Sequence, residues 1–251
     1  MNILLVNDDG IHSPELRLLA RTAKARGHHI LVCAPSQQQS AKGHSFTISS
    51  PVMVHPVAME GADAAWAVDG TPVDCTRLGL MELSDAPIDL VISGINQGYN
   101  IGLATYVSGT VGAAREAAFQ GVKAMAVSAE PCTPAPTMAI FVEWVLTLAE
   151  QVATFDLPRL SVVNVNVPPV EVHELQPPRL CPINCRIYHD HYERRESPRG
   201  GEYFWLAPVE DDPAPEPGSD CDLLAKGHIT VSILTVDGGS AEGCEALLEE
   251  M

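Results

Sequence analysis

The apolar run Ile3-Leu4-Leu5-Val6 breaks without transition into Asn7-Asp8-Asp9-Gly10, and this junction constrains the chain more than any other stretch. An unbroken apolar run suits a strand buried on both faces of a parallel sheet. Side chains alternate faces along a strand, so two adjacent carboxylates converge only where the strand has given way to a loop. Converging carboxylates repel and raise each other's pKa unless a cation lies between them. Hard oxygen ligands at a strand's carboxyl end point to magnesium, manganese or calcium. Asp and Gly also favour turns for local reasons, so from these ten residues alone a plain polar turn is an equal alternative.

The residues beyond the junction set the fold class. Ser13 and Pro14 read as N-cap and first helical residue, Leu16, Leu19, Ala20 and Ala23 share one helical face, and Gly27 ends the helix. Ile30 to Ala34 is the next strand, so the chain opens with a βαβ unit, expected to be parallel and right-handed. Its first turn lacks G-x-G-x-x-G, which argues for a site built from carboxylates and against a dinucleotide cradled by backbone amides. Further strands are expected at 52–59 (an edge strand, given Pro56), 88–92, 122–127 and 162–167, and helices after Thr71-Pro72, after Ser108 and over about 137–152. Half of the twenty prolines lie between Pro168 and Pro217. A hairpin from 186–192 and 202–206, a solvated acidic loop around Glu210-Asp211-Asp212, a short helix at 220–226 and a strand at 228–234 are expected there. The reading is one α/β domain spanning 1–251, with a mostly parallel core to about residue 168 and a β-rich C-terminal arm over about 169–251.

Thirty-two acidic residues against fifteen basic give a formal net charge of −17. That field repels phosphate backbones and anionic lipid, so neither a nucleic-acid polymer nor a membrane surface is an expected partner. A small phosphorylated substrate stays compatible if a metal supplies positive charge locally. The seven cysteines are scattered without a CxxC, as expected of free thiols in a reducing cytoplasm, and neither a secretion signal nor a membrane-spanning run is present.

Two further stretches carry chemistry. The loop after the second strand contains Ser40-Ala41-Lys42-Gly43-His44-Ser45, and in an open parallel sheet it rises on the same edge as Asp8 and Asp9. The strand at 88–92 runs into Ser93-Gly94-Ile95-Asn96-Gln97-Gly98-Tyr99-Asn100, whose glycines allow close backbone approach to a ligand. Ser108-Gly109-Thr110 then opens a helix, offering hydroxyls, free amides and a positive dipole end to an anion such as phosphate. Asp8, Asp9, Ser40 and Asn96 form an all-oxygen set that selects Mg2+ or Mn2+ over zinc.

Taken in order, ILLVNDDGI (3–11), APSQQQSAKGHSFT (34–47), GTPVDC (70–75), DLVISGINQGYNIG (89–102) and SGTVGAAREAAFQG (108–121), with the weaker NVNVPP (164–169) and KGHITVS (226–232), resemble the SurE (survival protein E) family of nucleotidases. The resemblance implies a Rossmann-like core whose C-terminal arm is exchanged between subunits of a homodimer or homotetramer. It implies a metal-dependent phosphomonoesterase acting on nucleoside 5′-monophosphates, with 3′-monophosphates a further candidate. One divalent ion, Mg2+ or Mn2+, would be held by Asp8, Asp9, Ser40 and Asn96. The chain departs from the family pattern at Glu15, where Gly is usual, and at Ala104 and Val107, where Asp and Tyr are usual. Those departures bear on rate and substrate preference more than on reaction class.

The chemistry expected is in-line attack on phosphorus by a water activated at the cation. Asp9 orients or deprotonates that water, Asp8 acts mainly as ligand, and Asn96 completes the catalytic group. Ser108, Gly109 and Thr110 stabilise the phosphoryl group, while Asn100, Gly43 and His44 complete the phosphate or nucleoside pocket. The rival reading is a Mg2+-binding phospho-receiver signalling module, which also opens with a strand ending in paired acids. Such a module needs a phospho-accepting Asp after the 88–92 strand, where this chain has Ser93-Gly94-Ile95-Asn96.

Overall fold

The computed structural model describes residues 1–187, 190–207 and 214–236. Strand β1 (Asn2–Val6) leads into helix α1 (Pro14–Ala25) and strand β2 (His29–Pro35). Ser13 caps α1 by accepting the Leu16 amide on its hydroxyl at 3.4 Å, with Pro14 in the first turn where its missing N–H costs nothing. Strands β3 (Val54–Pro56) and β4 (Ala64–Val68) precede helix α2 (Pro72–Met81). Thr71 and Asp74 satisfy each other's backbone amides there in a reciprocal cap. Strand β5 (Leu90–Gln97), a 3-10 turn (Gly102–Tyr106), helix α3 (Gly109–Phe119), strand β6 (Lys123–Ala129), helix α4 (Ala135–Thr154) and strand β7 (Ser161–Val167) come next. The remainder comprises β8 (Gln176–Leu180), β9 (His191–Glu196), β10 (Glu202–Ala207), helix α5 (Asp220–Ala225) and β11 (His228–Thr235).

The central sheet has the order β3-β4-β2-β1-β5-β6-β7-β11-β8. Strands β4 to β7 in that order run parallel, while β3 pairs antiparallel with β4, and β11 antiparallel with β7. Because β1 is hydrophobic on every residue after Asn2, alternation sends Ile3 and Leu5 to one face and Leu4 and Val6 to the other. Ile3 and Leu5 pack with Leu16 and Leu19 of α1 and Phe141 and Val145 of α4. Leu4 and Val6 pack with Cys75 of α2 and Val111, Ala114 and Ala117 of α3. The result is the three-layer α/β core that the sequence implies. Gly79 of α2 lies so close to the sheet that a Cβ there would come within 2.7 Å of Leu4.

Several elements differ from the sequence reading. The edge strand expected over 52–59 shrinks to β3, and its partner β4 is an addition. Ala64-Ala65-Trp66-Ala67-Val68 is alanine-rich, a composition that favours helix, and only its position beside β2 makes it a strand. Strand β5 runs five residues past the expected end at Ile92, through Ser93 to Gln97, with a register shift against β6 between Ser93 and Asn96. The first hairpin strand is His191–Glu196 instead of 186–192. Its charged residues suggest a turn by composition, but they pair across to β10, with Arg194 bonded to Glu202. Strands β8 and β11 join the central sheet, so of the described C-terminal residues only the β9-β10 hairpin forms a sheet of its own. The expected acidic loop at Glu210-Asp211-Asp212 lies outside the described residues. Among the described residues no helix is long and apolar enough to cross a membrane.

Candidate metal and phosphate site

Chain order reverses at β1: β2 lies on one side of it and β5 on the other. In an open parallel sheet such a switch point leaves a crevice at the strands' carboxyl ends. Asp8 and Asp9 leave β1 into that crevice, and Asn96 and Gln97 close β5 beside it. Their loop is set by Asn7, fully buried, whose side chain donates to the Gly10 carbonyl at 3.0 Å and accepts the Gly10 amide at 3.1 Å. Gly10 takes φ +102°, where a Cβ would be strained.

Asp8 is 4% exposed. The Thr110 hydroxyl donates to its Oδ1 at 2.6 Å, and a Cβ on Gly109 would stand 2.9 Å from its Oδ2. Burial pushes the Asp8 pKa up to about 6; the Thr110 hydroxyl opposes the rise and Asp9 adds to it. Asp9 is half-buried and its pKa is also raised, again chiefly by burial. Asp9 accepts the Gln97 amide at 3.0 Å and the Gln38 side chain at 3.3 Å.

Two backbone bonds bring the Ser40 loop to this edge. The Gln39 amide donates to the Asp8 carbonyl at 2.7 Å, and the Gly43 amide to the Val107 carbonyl at 2.9 Å. Between these anchors Ser40 stays exposed. The Asn96 amide nitrogen donates to the Gly98 carbonyl at 2.7 Å, which leaves its side-chain oxygen as the ligand-capable atom. A cleft of about 250 Å3 is lined by Asp8, Ser40, Asn96, Asn100 and Ser108, among others.

The remaining expected residues divide. Ser108 lines the cleft while capping α3, its oxygen accepting the Val111 amide at 3.1 Å. Thr110 gives its hydroxyl to Asp8, so the Ser108-Gly109-Thr110 turn braces the buried carboxylate as well as offering first-turn amides. Gly43 lies against α3, where a Cβ on Gly112 would come within 2.3 Å of its carbonyl oxygen. His44 does not line the cleft. Its Nε2 lies 2.8 Å from Glu116, which also binds Arg77, and its ring stacks on Phe119.

Asn100 reaches the cleft through a clasp of which the sequence bears no direct sign. Its amide donates to Asn166 Oδ1 at 2.9 Å, its carbonyl accepts from Asn164 and Asn166, and its side chain donates to Ser128 at 2.9 Å. The usable signal is the pair of asparagines at i and i+2 of an otherwise apolar strand, since buried amides demand partners. Asn7 escapes a sequence reading for a similar reason, because it passes for part of a polar turn.

The donor set fits a hard divalent cation. No Lys, Arg or His among the described residues lines the cleft, so a phosphate there would face Asp8 without compensating charge. Among the described residues no three His, Cys, Asp or Glu side chains form a metal-ready group, so an ion here would draw on the Asn96 and Ser40 oxygens beside Asp8, with Asp9 next in the loop but not among the cleft-lining residues. Strand β5 carries no carboxylate at all, which removes the receiver-module reading.

The family model for Survival protein SurE matches residues 3–190. A protein named 5′-nucleotidase SurE from Nitratidesulfovibrio vulgaris (strain DP4) is 41% identical over 242 residues, covering 96% of each chain. One of the same name from Synechococcus sp. (strain JA-3-3Ab) is 40% identical over 241 residues, covering 94% of this chain and 92% of its own. The crystal structure of the SurE protein from Aquifex aeolicus superposes with a TM-score of 0.81 at 28% identity, covering 100% of this chain and 99% of that one. With family match, relatives and fold in agreement along nearly its whole length, the chain belongs to the survival protein SurE family.

Proposed function

We propose that the protein is a divalent-metal-dependent phosphomonoesterase that releases phosphate from nucleoside 5′-monophosphates. The observation that carries this is a buried Asp8 beside Asp9 at the switch point, in a cleft with no basic side chain among the described residues, next to the N-terminus of α3. The relatives named as 5′-nucleotidases support the substrate class.

Asp8, Asp9, Ser40 and Asn96 would hold Mg2+ or Mn2+, which when bound supplies positive charge to the phosphoryl oxygens and an acidified water. Asp8, gripped by Thr110 and walled by Gly109, is the fixed ligand. Asp9 is less buried and only lightly held, and it is the group that takes the proton from the attacking water. The Ser108 hydroxyl retains a proton to donate, and with the Gly109 amide it orients the phosphoryl group at the helix N-terminus. Asn100, fixed by its clasp, bounds the pocket beyond them. His44 acts at one remove: its contact with Glu116 holds the Ser40 loop against α3, and the leaving alkoxide takes its proton from solvent.

A homodimer or homotetramer in the cytoplasm is part of the same proposal, with the exposed β9-β10 hairpin as the joining surface. The test is phosphate release from a panel of nucleoside monophosphates with Mg2+, Mn2+ and EDTA. Hydrolysis that survives EDTA, or that Asp8→Asn and Asp9→Asn leave at full rate, would overturn the reading.

A further inference from the structure

The first turn of α1 holds a carboxylate that is not aimed into the cleft. Glu15 Oε2 accepts the Ser13 hydroxyl at 3.0 Å and the Gln97 side-chain amide at 2.9 Å. An acid in this position ordinarily serves the helix dipole and the cap. Here it also reaches across the crevice to the end of β5, 82 residues on. Gln97 is thereby held twice, its side chain by Glu15 and its backbone amide by Asp9 Oδ2 at 3.0 Å. The residue before it is Asn96, whose own side chain is turned by its bond to the Gly98 carbonyl.

We infer that Glu15 is a positioning residue for the metal cleft: through the Gln97 side chain it sets the strand-end amide that holds Asp9, and so fixes the spacing of the Asp8-Asp9 loop from Asn96. The inference rests on the metal reading above. Gln97 is exposed, and without a partner its side chain would sample several rotamers; pairing with β6 at Asn96 and Gln97 holds the strand end on one side, and the bonds to Glu15 and Asp9 hold it on the β1 side. Asp9 follows β1 and Asn96 lies near the end of β5; beyond the last pair of these two strands, Val6 with Ser93, the Asp9–Gln97 bond and the Glu15–Gln97 bridge tie the loop and the first turn of α1 to the end of β5. A ligand set of two carboxylates and two neutral oxygens has little charge with which to hold an ion, so the placing of its oxygens matters more.

The alternative role for Glu15 is long-range charge, and substitution separates the two. Glu15→Gln keeps an acceptor oxygen for Ser13 and Gln97 but removes the charge, whereas Glu15→Ala removes both. Mn2+ binding to metal-free protein is measured by titration calorimetry. Affinity within about twofold of wild type is expected for Glu15→Gln, and roughly three- to tenfold weaker binding for Glu15→Ala and Gln97→Ala. The double variant Glu15→Ala/Gln97→Ala should bind no worse than either single one, because both remove the same bridge.

Amide hydrogen exchange at Gln97, followed by NMR on metal-free protein, should quicken in Glu15→Ala and not in Glu15→Gln. Unchanged Mn2+ affinity and unchanged Gln97 protection in Glu15→Ala would overturn the inference. So would a loss in Glu15→Gln equal to that in Glu15→Ala, which would make charge the cause. If wild-type protein took up no Mn2+, the metal reading would fall, and the exchange measurement would still decide whether Glu15 sets Gln97.

Discussion

Asp8 is held in conflict with its own ionisation. Its raised pKa means that the metal-free fold prefers it protonated, so its contribution to stability is present below the unfolded value of 3.8 and is lost as pH rises through about 6. Asp8→Asn removes that loss, and its side-chain oxygen can still accept the Thr110 hydroxyl. The metal-free variant is expected to be more stable than wild type by about 2 to 3 kcal/mol at pH 7, with the gap closing near pH 4. Urea denaturation at the two pH values checks this, and Mn2+ binding by the same variant should be lost. Asn7 is the opposite case, a residue that supports the site without touching it. Asn7→Ala removes both bonds to Gly10 and leaves the buried Gly10 amide without the Asn7 acceptor, while the Gly10 carbonyl keeps the Ser13 amide, for an expected loss of about 1 to 3 kcal/mol, read by thermal denaturation.

At the scale of elements, the close packing of α3 decides where the Ser40 loop lies. Gly112→Ala would place a Cβ 2.3 Å from a backbone oxygen that has no flexible end to swing away. A destabilisation of about 1 to 3 kcal/mol is expected, together with weaker Mn2+ binding as Ser40 moves off the cleft, measured by calorimetric titration. Legibility in the sequence also divides by element. The opening βαβ unit is legible because apolar period, N-cap and terminal glycine agree. The buried strands are legible from their apolar runs, and Asp8, Ser40 and Asn96 from the rule that loops after parallel strands share an edge. Strand β4 is not, because its alanines carry no strand signal and its neighbour β2 supplies the reason. Nor is the extension of β5, since Ser93-Gly94-Ile95-Asn96 reads as a loop until its pairing with β6 is known. Thr110 and His44 are legible as residue types, but which partner each faces depends on how α3 lies against the sheet.

For the molecule as a whole, the β9-β10 hairpin has no counterpart in the compact core. Trp205 is 62% exposed and Phe204 56% exposed, and as neighbours on one strand they present apolar rings on both faces of a two-stranded sheet. A lone hairpin of this kind is marginal in water, and apolar surface on both sides calls for cover. Replacing both with serine should reduce the light-scattering mass to that of a single chain, if the hairpin joins subunits as proposed. Mass unchanged from wild type would place the joining surface elsewhere.

The switch point has a temporal consequence. The bond between Asp8 and Thr110 spans 102 residues, and that between Asp9 and Gln97 spans 88. During synthesis Asp8 and Asp9 precede the end of β5 by about ninety residues and α3 by about a hundred, so the Thr110 hydroxyl that grips Asp8 arrives only once α3 has been made and docked. Contacts of such separation are slow to form because loop-closure entropy opposes them until the intervening chain is ordered. On the metal reading proposed above, capture of the ion would therefore follow the docking of α3 and would report that this part of the core is in place.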